Sequence, residues 1–541
     1  MIGTTRSRVL LSLFFLAGLG WCLTGSAATL DRPALSPACA HAHADSLPNE
    51  LCPLEGGSGV AKGDFNGDGA GDLAIGVPDE DVGSDKDAGA VQILYGSTSG
   101  LAATGNQYLT QGSGAEAGDR FGSAVSSGDF NGDGFSDLAV GVPGEDLGTV
   151  ADAGQVNVVY GSASGLNLGV QQAWSQDSPG IEGVADAGDQ FGFSLAWGDF
   201  GFGPRGDLAI GVPGEDSSSG AVNVIFGRSG GLTSLNNQFW SQDVSGVIGT
   251  SEPGDRFGFS LAASAGWFFS RFGSVNCTSQ VDALAIGVPG EDLGSIADAG
   301  AVNVIFSRGC GGDPPVLDSD GTEFYSQSYG GSSEGEVRVA GVAEAGDQLG
   351  FALAFGGGTC CIFGEGLAIG VPGEDGGAGA VDITTSYLGD PQSGVIYSYA
   401  GQNGRFGRSV AWGTFGLAVG APYENDAGLA GAGGVYRYGS DCWICPLQLR
   451  ERLVQGSALG EAAGNHFGWS LTAWNFNKDG RSDLAVGIPY EAVSGAVNAG
   501  AVEVLYGDFG GGLGSGQIWT QDSPGITGVA EPGDLFGYAL Y

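Results

Sequence analysis

Residues 121–161 read FGSAVSSGDFNGDGFSDLAVGVPGEDLGTVADAGQVNVVYG. The first part, FGSAVSSGDF, alternates small and apolar residues and predicts a short strand. DLAVGVP is almost continuously apolar, as expected of a strand covered on both faces. QVNVVYG alternates again, with Val156, Val158 and Tyr160 facing one way. A Ser/Gly turn then leads into QQAWSQD, a candidate edge strand. Gly and Pro close every strand, and no stretch carries the 3.6-residue period of a helix. The unit is therefore expected to be a sheet of four antiparallel strands.

This unit recurs along most of the chain. DLAVGVP or a relative occurs seven times, with its Pro at Pro78, Pro143, Pro213, Pro289, Pro372, Pro422 and Pro489. A period of roughly 50 to 85 residues is too long for one hairpin and suits one small sheet per repeat. Such a sheet cannot cover its own faces, and radial packing against neighbours does so while leaving only short edges. The expectation is an all-β, seven-bladed β-propeller of four-stranded antiparallel blades. The chain ends in EPGDLFGYALY, an eighth copy of the FG strand, whereas the first repeat has Gly56-Gly57 where the others have Phe-Gly. The C-terminal strand is thus expected to dock beside or in place of the first and close the ring. The alternative is a truncated chain with an unfinished eighth blade.

Composition narrows the partners. With 61 acidic and 19 basic residues, the formal net charge is −42. Such a surface repels phosphate backbones and anionic membranes and attracts cations, which argues against nucleic acid as a partner. Residues 1–28 read as a signal peptide: Arg6 and Arg8, an apolar run over 9–23, then small residues around Ser26 and Ala27 for cleavage. The run falls short of the roughly 20 residues that span a bilayer. No other segment qualifies, so no transmembrane segment is expected after signal cleavage, and the protein is expected to be secreted or held at the cell surface. Residues 29–54 read as an N-terminal tail and 55–541 as the propeller.

Eight cysteines remain after cleavage, and an even number in an exported chain favours disulfides. The pairs nearest in sequence are Cys39 with Cys52, Cys277 with Cys310, and Cys442 with Cys445. Cys360 and Cys361 form a strained vicinal bridge or each reach elsewhere.

The alternation of FG with GVP or GAP resembles the FG-GAP repeats of the N-terminal propeller of integrin alpha chains. Similar repeats occur in secreted bacterial proteins and in the C-terminal part of glycosylphosphatidylinositol-specific phospholipase D. The resemblance runs from about Gly56 to Tyr541. It implies a seven-bladed propeller with calcium in the loop between the first two strands of some blades, and a role in adhesion or extracellular recognition.

The residues of those loops point to the same metal. DFNGDGAGD supplies Asp64, Asn66, Asp68 and Asp72, and DFNGDGFSD supplies Asp129, Asn131, Asp133 and Asp137. Oxygen side chains at alternate positions, with Gly after the third, are similar to the opening of an EF-hand loop. The carbonyls of Ala70 and Phe135 are expected to complete the sets. Three carboxylates and an amide favour calcium over magnesium. The competing reading is an Asx-rich turn without metal, but unpaired carboxylates packed so closely repel one another. A weaker candidate is NFNKDGRSD in the seventh repeat, with Asn475, Asn477, Asp479, the carbonyl of Arg481, and Asp483. It has only two carboxylates, and Lys478 and Arg481 add positive charge. The other four repeats depart from the pattern, and the insertions over 264–282 and 311–337 are candidate ligand-binding loops, since binding surfaces vary where loops are in excess.

Several motifs are discounted. Arg205-Gly206-Asp207 spells an integrin-recognition tripeptide but occupies the repeat frame, with Asp207 aligned to Asp72 and Asp137. Gly201, Gly203 and Gly206 satisfy GxGxxG, yet a strand follows where a phosphate-binding helix is needed. The CxxC of Cys442 and Cys445 lacks a βαβ setting. Cys39, His41, His43 and Cys52 spell a soft-metal set, but a Cys39 to Cys52 bridge is the simpler reading. Repeated Glu-Asp pairs such as Glu145-Asp146 and Glu291-Asp292 read as turn caps before they read as a cation-binding ring.

No nucleophile elbow or HExxH is present, and His466 is the one histidine beyond the leading tail. The reading is therefore a calcium-binding adhesion or recognition module for an extracellular or cell-surface protein or glycan, with no catalytic residues. The alternatives are a structural envelope or matrix component, and a propeller hydrolase using paired carboxylates on carbohydrate.

Overall fold

The structure, a computed structural model, describes residues 63–541 apart from 202, 204, 268–280, 309–315, 328–334, 357–365, 386–394, 402, 440–446, 457–459, 461 and 515. Seven sheets follow one another along the chain, each with its strands in sequence order. In the second, strands Ala124–Gly128, Asp137–Val142, Gln155–Tyr160 and Asn167–Trp174 run antiparallel, with Leu138 opposite Val159 and Val156 opposite Trp174. Every residue of Asp137–Val142 is buried, as its unbroken apolar run requires, whereas Asn167–Trp174 is largely exposed. The outer strand starts earlier than QQAWSQD suggests, because Asn167 already pairs with Tyr160 beyond a register shift. Helix among the described residues is confined to Gly112–Gly114, Glu215–Ser218 and Glu374–Gly377.

The ring closes as the terminal repeat implies. Strands Leu73–Val77, Ala90–Tyr95 and Ala102–Leu109 form a three-stranded first sheet. The C-terminus pairs along its inner edge: the Gly76 N–H donates to Ala539 O at 2.9 Å, and Gly537 donates back to Gly76 O at 3.1 Å. Every blade therefore has at least four strands once this segment is counted.

A second contact repeats at every junction. The Gly before each third strand forms a parallel bridge to the first residue of the next FG: Gly89 to Phe121, Gly154 to Phe191, Gly220 to Phe257, Gly300 to Leu349, Gly379 to Phe406, Gly433 to Phe467 and Gly500 to Phe536. Gly220 shows why the position is Gly: its φ is +88°, and a Cβ there would lie 2.3 Å from Phe257 O. The Phe it admits is fully buried, a burial that favours the folded state by about 1.5 to 3 kcal/mol.

Blade four differs from the expectation. The stretch 311–337 reads from sequence as a binding-loop insertion, but Val316–Ser326 is the outer strand and Glu336–Arg338 adds a fifth strand parallel to it. The stretch 264–282 is likewise partly strand, because Ser260–Trp267 and Val281–Val288 extend into it. Extended pairing satisfies backbone groups that a loop would leave to solvent.

Candidate functional site

Antiparallel order gives the propeller two rims. Hairpins between the first and second strands lie at one rim, and loops after the second and fourth strands emerge at the other. The Asp/Asn hairpins occupy the first rim.

In the first hairpin the Asp68 N–H is accepted by both Asp64 Oδ1 at 3.0 Å and Asn66 Oδ1 at 2.9 Å, while Asp64 Oδ2 accepts from Gly69 at 2.7 Å. In the second, the Asp133 N–H is accepted by Asp129 Oδ1 at 3.0 Å and Asn131 Oδ1 at 2.8 Å. The seventh repeats the pattern, with Asp479 donating to Asn475 and Asn477, each at 3.0 Å. In all three, oxygens from the first and third positions converge on one point. The fifth-position carboxylate turns forward, Asp68 to the Ala70 N–H and Asp133 to the Phe135 N–H. Left-handed backbone at Gly67 and Gly69 bends the loop tightly enough for this.

The ninth-position aspartate has a different task. Asp72 accepts from Phe65 N at 2.8 Å and Gly96 N at 2.9 Å, clamping the hairpin to the third strand. Asp137 and Asp483 make the same two bonds. So does Asp207, although its loop has Gly201 and Gly203 where the others have oxygen side chains at the third and fifth positions. This aspartate is thus a brace whether or not a metal pattern surrounds it. Burial is the main cause that pushes the Asp72 and Asp137 carboxyls up to about 8, with the neighbouring loop carboxylates adding to it. Phe65, Phe130, Phe200 and Phe476, at the second position, are fully buried and anchor each hairpin in the core.

Neighbouring hairpins touch. Ser136 N–H donates to Asp64 O at 3.0 Å and Gly71 N–H to Asn475 O at 2.9 Å. Lys478 reaches the Asp68 carbonyl, and Arg205 Nε donates to Asn131 O at 3.1 Å. Hairpins seven, one, two and three form a continuous arc.

The FG-GAP repeat model matches residues 56–94, 121–159 and 467–505. The chain carries FG-GAP repeats. The three matched segments are the three that carry the converging Asp/Asn hairpins. The FG-GAP propeller is 39% identical to mouse phosphatidylinositol-glycan-specific phospholipase D over 108 residues, 20% of this chain and 13% of that protein. It is 31% identical to Xenopus laevis integrin alpha-5 over 214 residues, 38% of this chain and 18% of that one. It is 34% identical to Drosophila melanogaster integrin alpha-PS5 over 163 residues, 30% of this chain and 15% of that one. The aligned stretches thus span less than a fifth of each relative's length. A solved exotype rhamnogalacturonan lyase, YesX, aligns over 79% of this chain and 69% of its own at 12% identity and a TM-score of 0.35.

At the opposite rim of the FG-GAP propeller, the Glu-Asp pairs are architecture. Gln111 donates to Glu145 at 2.5 Å, Gln176 to Glu215 at 2.5 Å, Gln242 to Glu291 at 2.6 Å, Gln327 to Glu374 at 2.5 Å, Gln455 to Glu491 at 2.5 Å and Gln521 to Glu80 at 2.6 Å. Each bond joins one blade to the next. At the remaining junction Glu424 accepts from Tyr436 and Arg452 of its own blade. Burial raises the Glu291 carboxyl to about 8 and Glu215 to about 7. The paired aspartates cap turns, as Asp146 does for the Asp152 N–H and Asp292 for the Asp298 N–H. Asp207 of the Arg-Gly-Asp triplet is fully buried and Arg205 is engaged with Asn131, so the triplet is not displayed. The cysteine pairs Cys39 with Cys52, Cys277 with Cys310, and Cys442 with Cys445 lie outside the described residues, as do Cys360, Cys361 and the leader.

Sequence reading missed one assembly. The residue following each FG (Ser123, Phe193, Phe259, Phe351, Arg408, Trp469 and Tyr538) stands at the start of an inner strand, one per blade. Phe193 and Phe259 have ring centroids 5.1 Å apart, Phe259 and Phe351 4.9 Å, and Trp469 and Tyr538 5.6 Å. The Arg408 guanidinium lies 3.8 Å from the Trp469 centroid and 5.0 Å from that of Phe351. Contacts that pass from blade to blade in this way line the propeller axis. The signal available in sequence was the fixed place after FG, where five of the seven residues are aromatic.

Proposed function

We propose that this FG-GAP propeller is an exported, calcium-stabilised recognition module that binds an extracellular or cell-surface protein or glycan. In this reading the chain performs no chemistry of its own. The observation that carries it is the shared acceptor geometry of the first two hairpins, where Asp64 with Asn66 and Asp129 with Asn131 are drawn together on the N–H of the fifth-position aspartate. Among the described residues no three acids, histidines or cysteines are gathered as a ready metal cage. The donor chemistry nevertheless fits calcium: each loop offers three carboxylates, an amide and a carbonyl, all hard oxygens. Asp64, Asn66, Asp68, Asp72 and the Ala70 carbonyl would hold one ion. Asp129, Asn131, Asp133, Asp137 and the Phe135 carbonyl would hold the second. Bound calcium supplies a fixed positive charge against crowded carboxylates.

The seventh hairpin is the poorer host, because Arg481 pairs with Asp479 at 3.3 Å and the first position is an amide. Likeness to integrin alpha chains supports recognition, and no helix among the described residues is long and apolar enough to cross a membrane. With the hairpins on one rim, the loops of the other are free to meet a ligand.

The test is capture. Propeller shown to be folded is immobilised, envelope and matrix extracts are passed over it in calcium, and what a chelator releases is identified by mass spectrometry. A discrete calcium-dependent partner is the expected result; nothing retained would overturn recognition in favour of a structural role.

A further inference from the structure

The loop-bearing rim surrounds the axial ring, and beside its Glu-Asp pairs it carries arginines. Only 19 of 541 residues are Lys or Arg, yet Arg120, Arg256, Arg405 and Arg408 all lie within three residues of an FG pair. Arg120 is paired with Asp79 at 3.2 Å. Arg408 has no ion pair among the described residues, and its Nε is buried without a hydrogen-bond partner. A guanidinium with its Nε buried and no counter-charge is costly, and in a chain of 61 acidic residues an acid partner is the easiest feature to supply. Stacking on Trp469 and Phe351 covers the faces of the guanidinium and leaves its edge, where the N–H groups point, for a ligand.

Beside it lies a cleft of about 420 Å³ lined by Gln348, Arg405, Tyr423 and five glycines, a size within the usual range for small-ligand pockets. Arg405 stands over the Tyr423 ring at 5.3 Å, and Tyr423 lies 6.3 Å from Trp469, so cleft and axial ring share a wall. The residue before FG is left-handed and not Gly in every blade from two onward, including Gln348 at +59°, Arg405 at +55° and His466 at +59°. Backbone strain of this kind persists where a side chain must be held in a set place.

We infer that the mouth of the axis is a binding site for a carboxylate-bearing sugar, with Arg408 and Arg405 meeting the carboxylate and the aromatic ring and glycine-lined cleft receiving the sugar. This rests on the recognition reading above and names its ligand class and its place. A guanidinium edge matches a planar carboxylate in two parallel hydrogen bonds. Densely charged sulfated or phosphorylated polymers are opposed by the overall charge of −42, whereas a sugar chain with isolated carboxylates is opposed far less. A cleft walled by glycine presents backbone N–H and C=O groups, with the Gln348 amide and Tyr423 hydroxyl, and these pair with sugar hydroxyls better than with an apolar peptide side chain.

The experiment is calorimetric titration of the calcium-loaded full propeller with hyaluronan tetrasaccharide, chitotetraose and hexaglutamate, each against wild type, Arg405→Ala and Arg408→Met, with thermal melts confirming that each variant is folded. The expected result is binding of the hyaluronan fragment, at least tenfold weaker binding of neutral chitotetraose, and at least tenfold loss in each folded variant. Because Arg405 is exposed, its variant keeps the test valid if Arg408→Met does not fold. Equal binding of the two sugars, unchanged binding in Arg405→Ala, or hexaglutamate binding in place of hyaluronan would overturn the inference. If the titration fails while capture still returns a calcium-dependent partner, this site is wrong and recognition stands; if both fail, both are wrong.

Discussion

Ala74 and Tyr541 exchange two backbone hydrogen bonds, Ala74 N to Tyr541 O at 3.0 Å and Tyr541 N to Ala74 O at 3.1 Å, so the last residue of the chain is paired with the first complete strand. The Tyr541 hydroxyl also donates to Ser127 O at 2.9 Å, tying the closure to blade two. Segments far apart in sequence therefore share one sheet, and the ring is held shut by a segment of five residues.

Removing residues 537–541 should open that ring. Four backbone hydrogen bonds are lost, each contributing about 1 kcal/mol, and blade one is left with three strands. The expected outcome is a stability loss of about 4 kcal/mol in urea denaturation. A truncated chain as stable as the full one would show that the terminal strand is dispensable.

Calcium should raise the melting temperature, and Asp68→Ala with Asp133→Ala should abolish most of that rise. Ligand at 100 times its Kd stabilises by about 2.7 kcal/mol per site. The readout is the melting temperature with calcium against chelator. A rise that survives the double substitution places the metal elsewhere.

Counting ions separates the hairpins. Equilibrium dialysis should find two calcium ions per wild-type chain. Asn475→Asp with Lys478→Gly, which gives the seventh hairpin a third carboxylate and removes its lysine, should raise the count to three. An unchanged count would mean that carboxylate number is not what limits that loop.

Glu291 predicts a pH dependence. Burial raises its folded-state pKa to about 8, above the ordinary carboxylate value of 4.5, so the folded state holds this proton more tightly than the unfolded chain. Stability from this group is complete below about 4.5 and declines as pH rises towards 8. In chelator, the melting temperature should fall over that window, and Glu291→Gln should fall less. A variant with the wild-type slope would show that Glu291 is charged in the folded protein at neutral pH.

Gly220→Ala should be among the most damaging small substitutions. The left-handed backbone alone costs about 1 kcal/mol or more, and the new methyl meets Phe257 O at 2.3 Å. A clear drop in the urea midpoint is expected, with a shifted bridge between blades three and four. An unchanged midpoint would mean the junction has slack that the close contact denies.

Much of the architecture was legible because it is periodic. The buried run DLAVGVP, the Gly and Pro punctuation, and the terminal FGYALY each reflect a local need: burial on both faces, positive φ, or a vacant inner edge. The oxygen donors of the hairpins were legible for the same reason, since Asp64, Asn66 and Asp68 lie within one turn and converge without help from the rest of the chain. The double duty of position nine was not, because the brace from Asp72 to Gly96 spans two strands. Blade four misled the sequence reading: in 311–337 the Gly and Ser content reads as loop, while pairing with the third strand makes 316–326 a strand.

The sequence by itself determined the repeat, the strands within it, the number of blades and the hairpins rich in oxygen side chains, because each depends on residues close together in the chain. Only the tertiary structure decided that Glu145, Glu215 and Glu291 are interblade clasps and that Arg408 stands among Phe351, Trp469 and Tyr538. Those neighbours come from different repeats, and closing seven sheets around one axis brings together side chains that no local pattern relates.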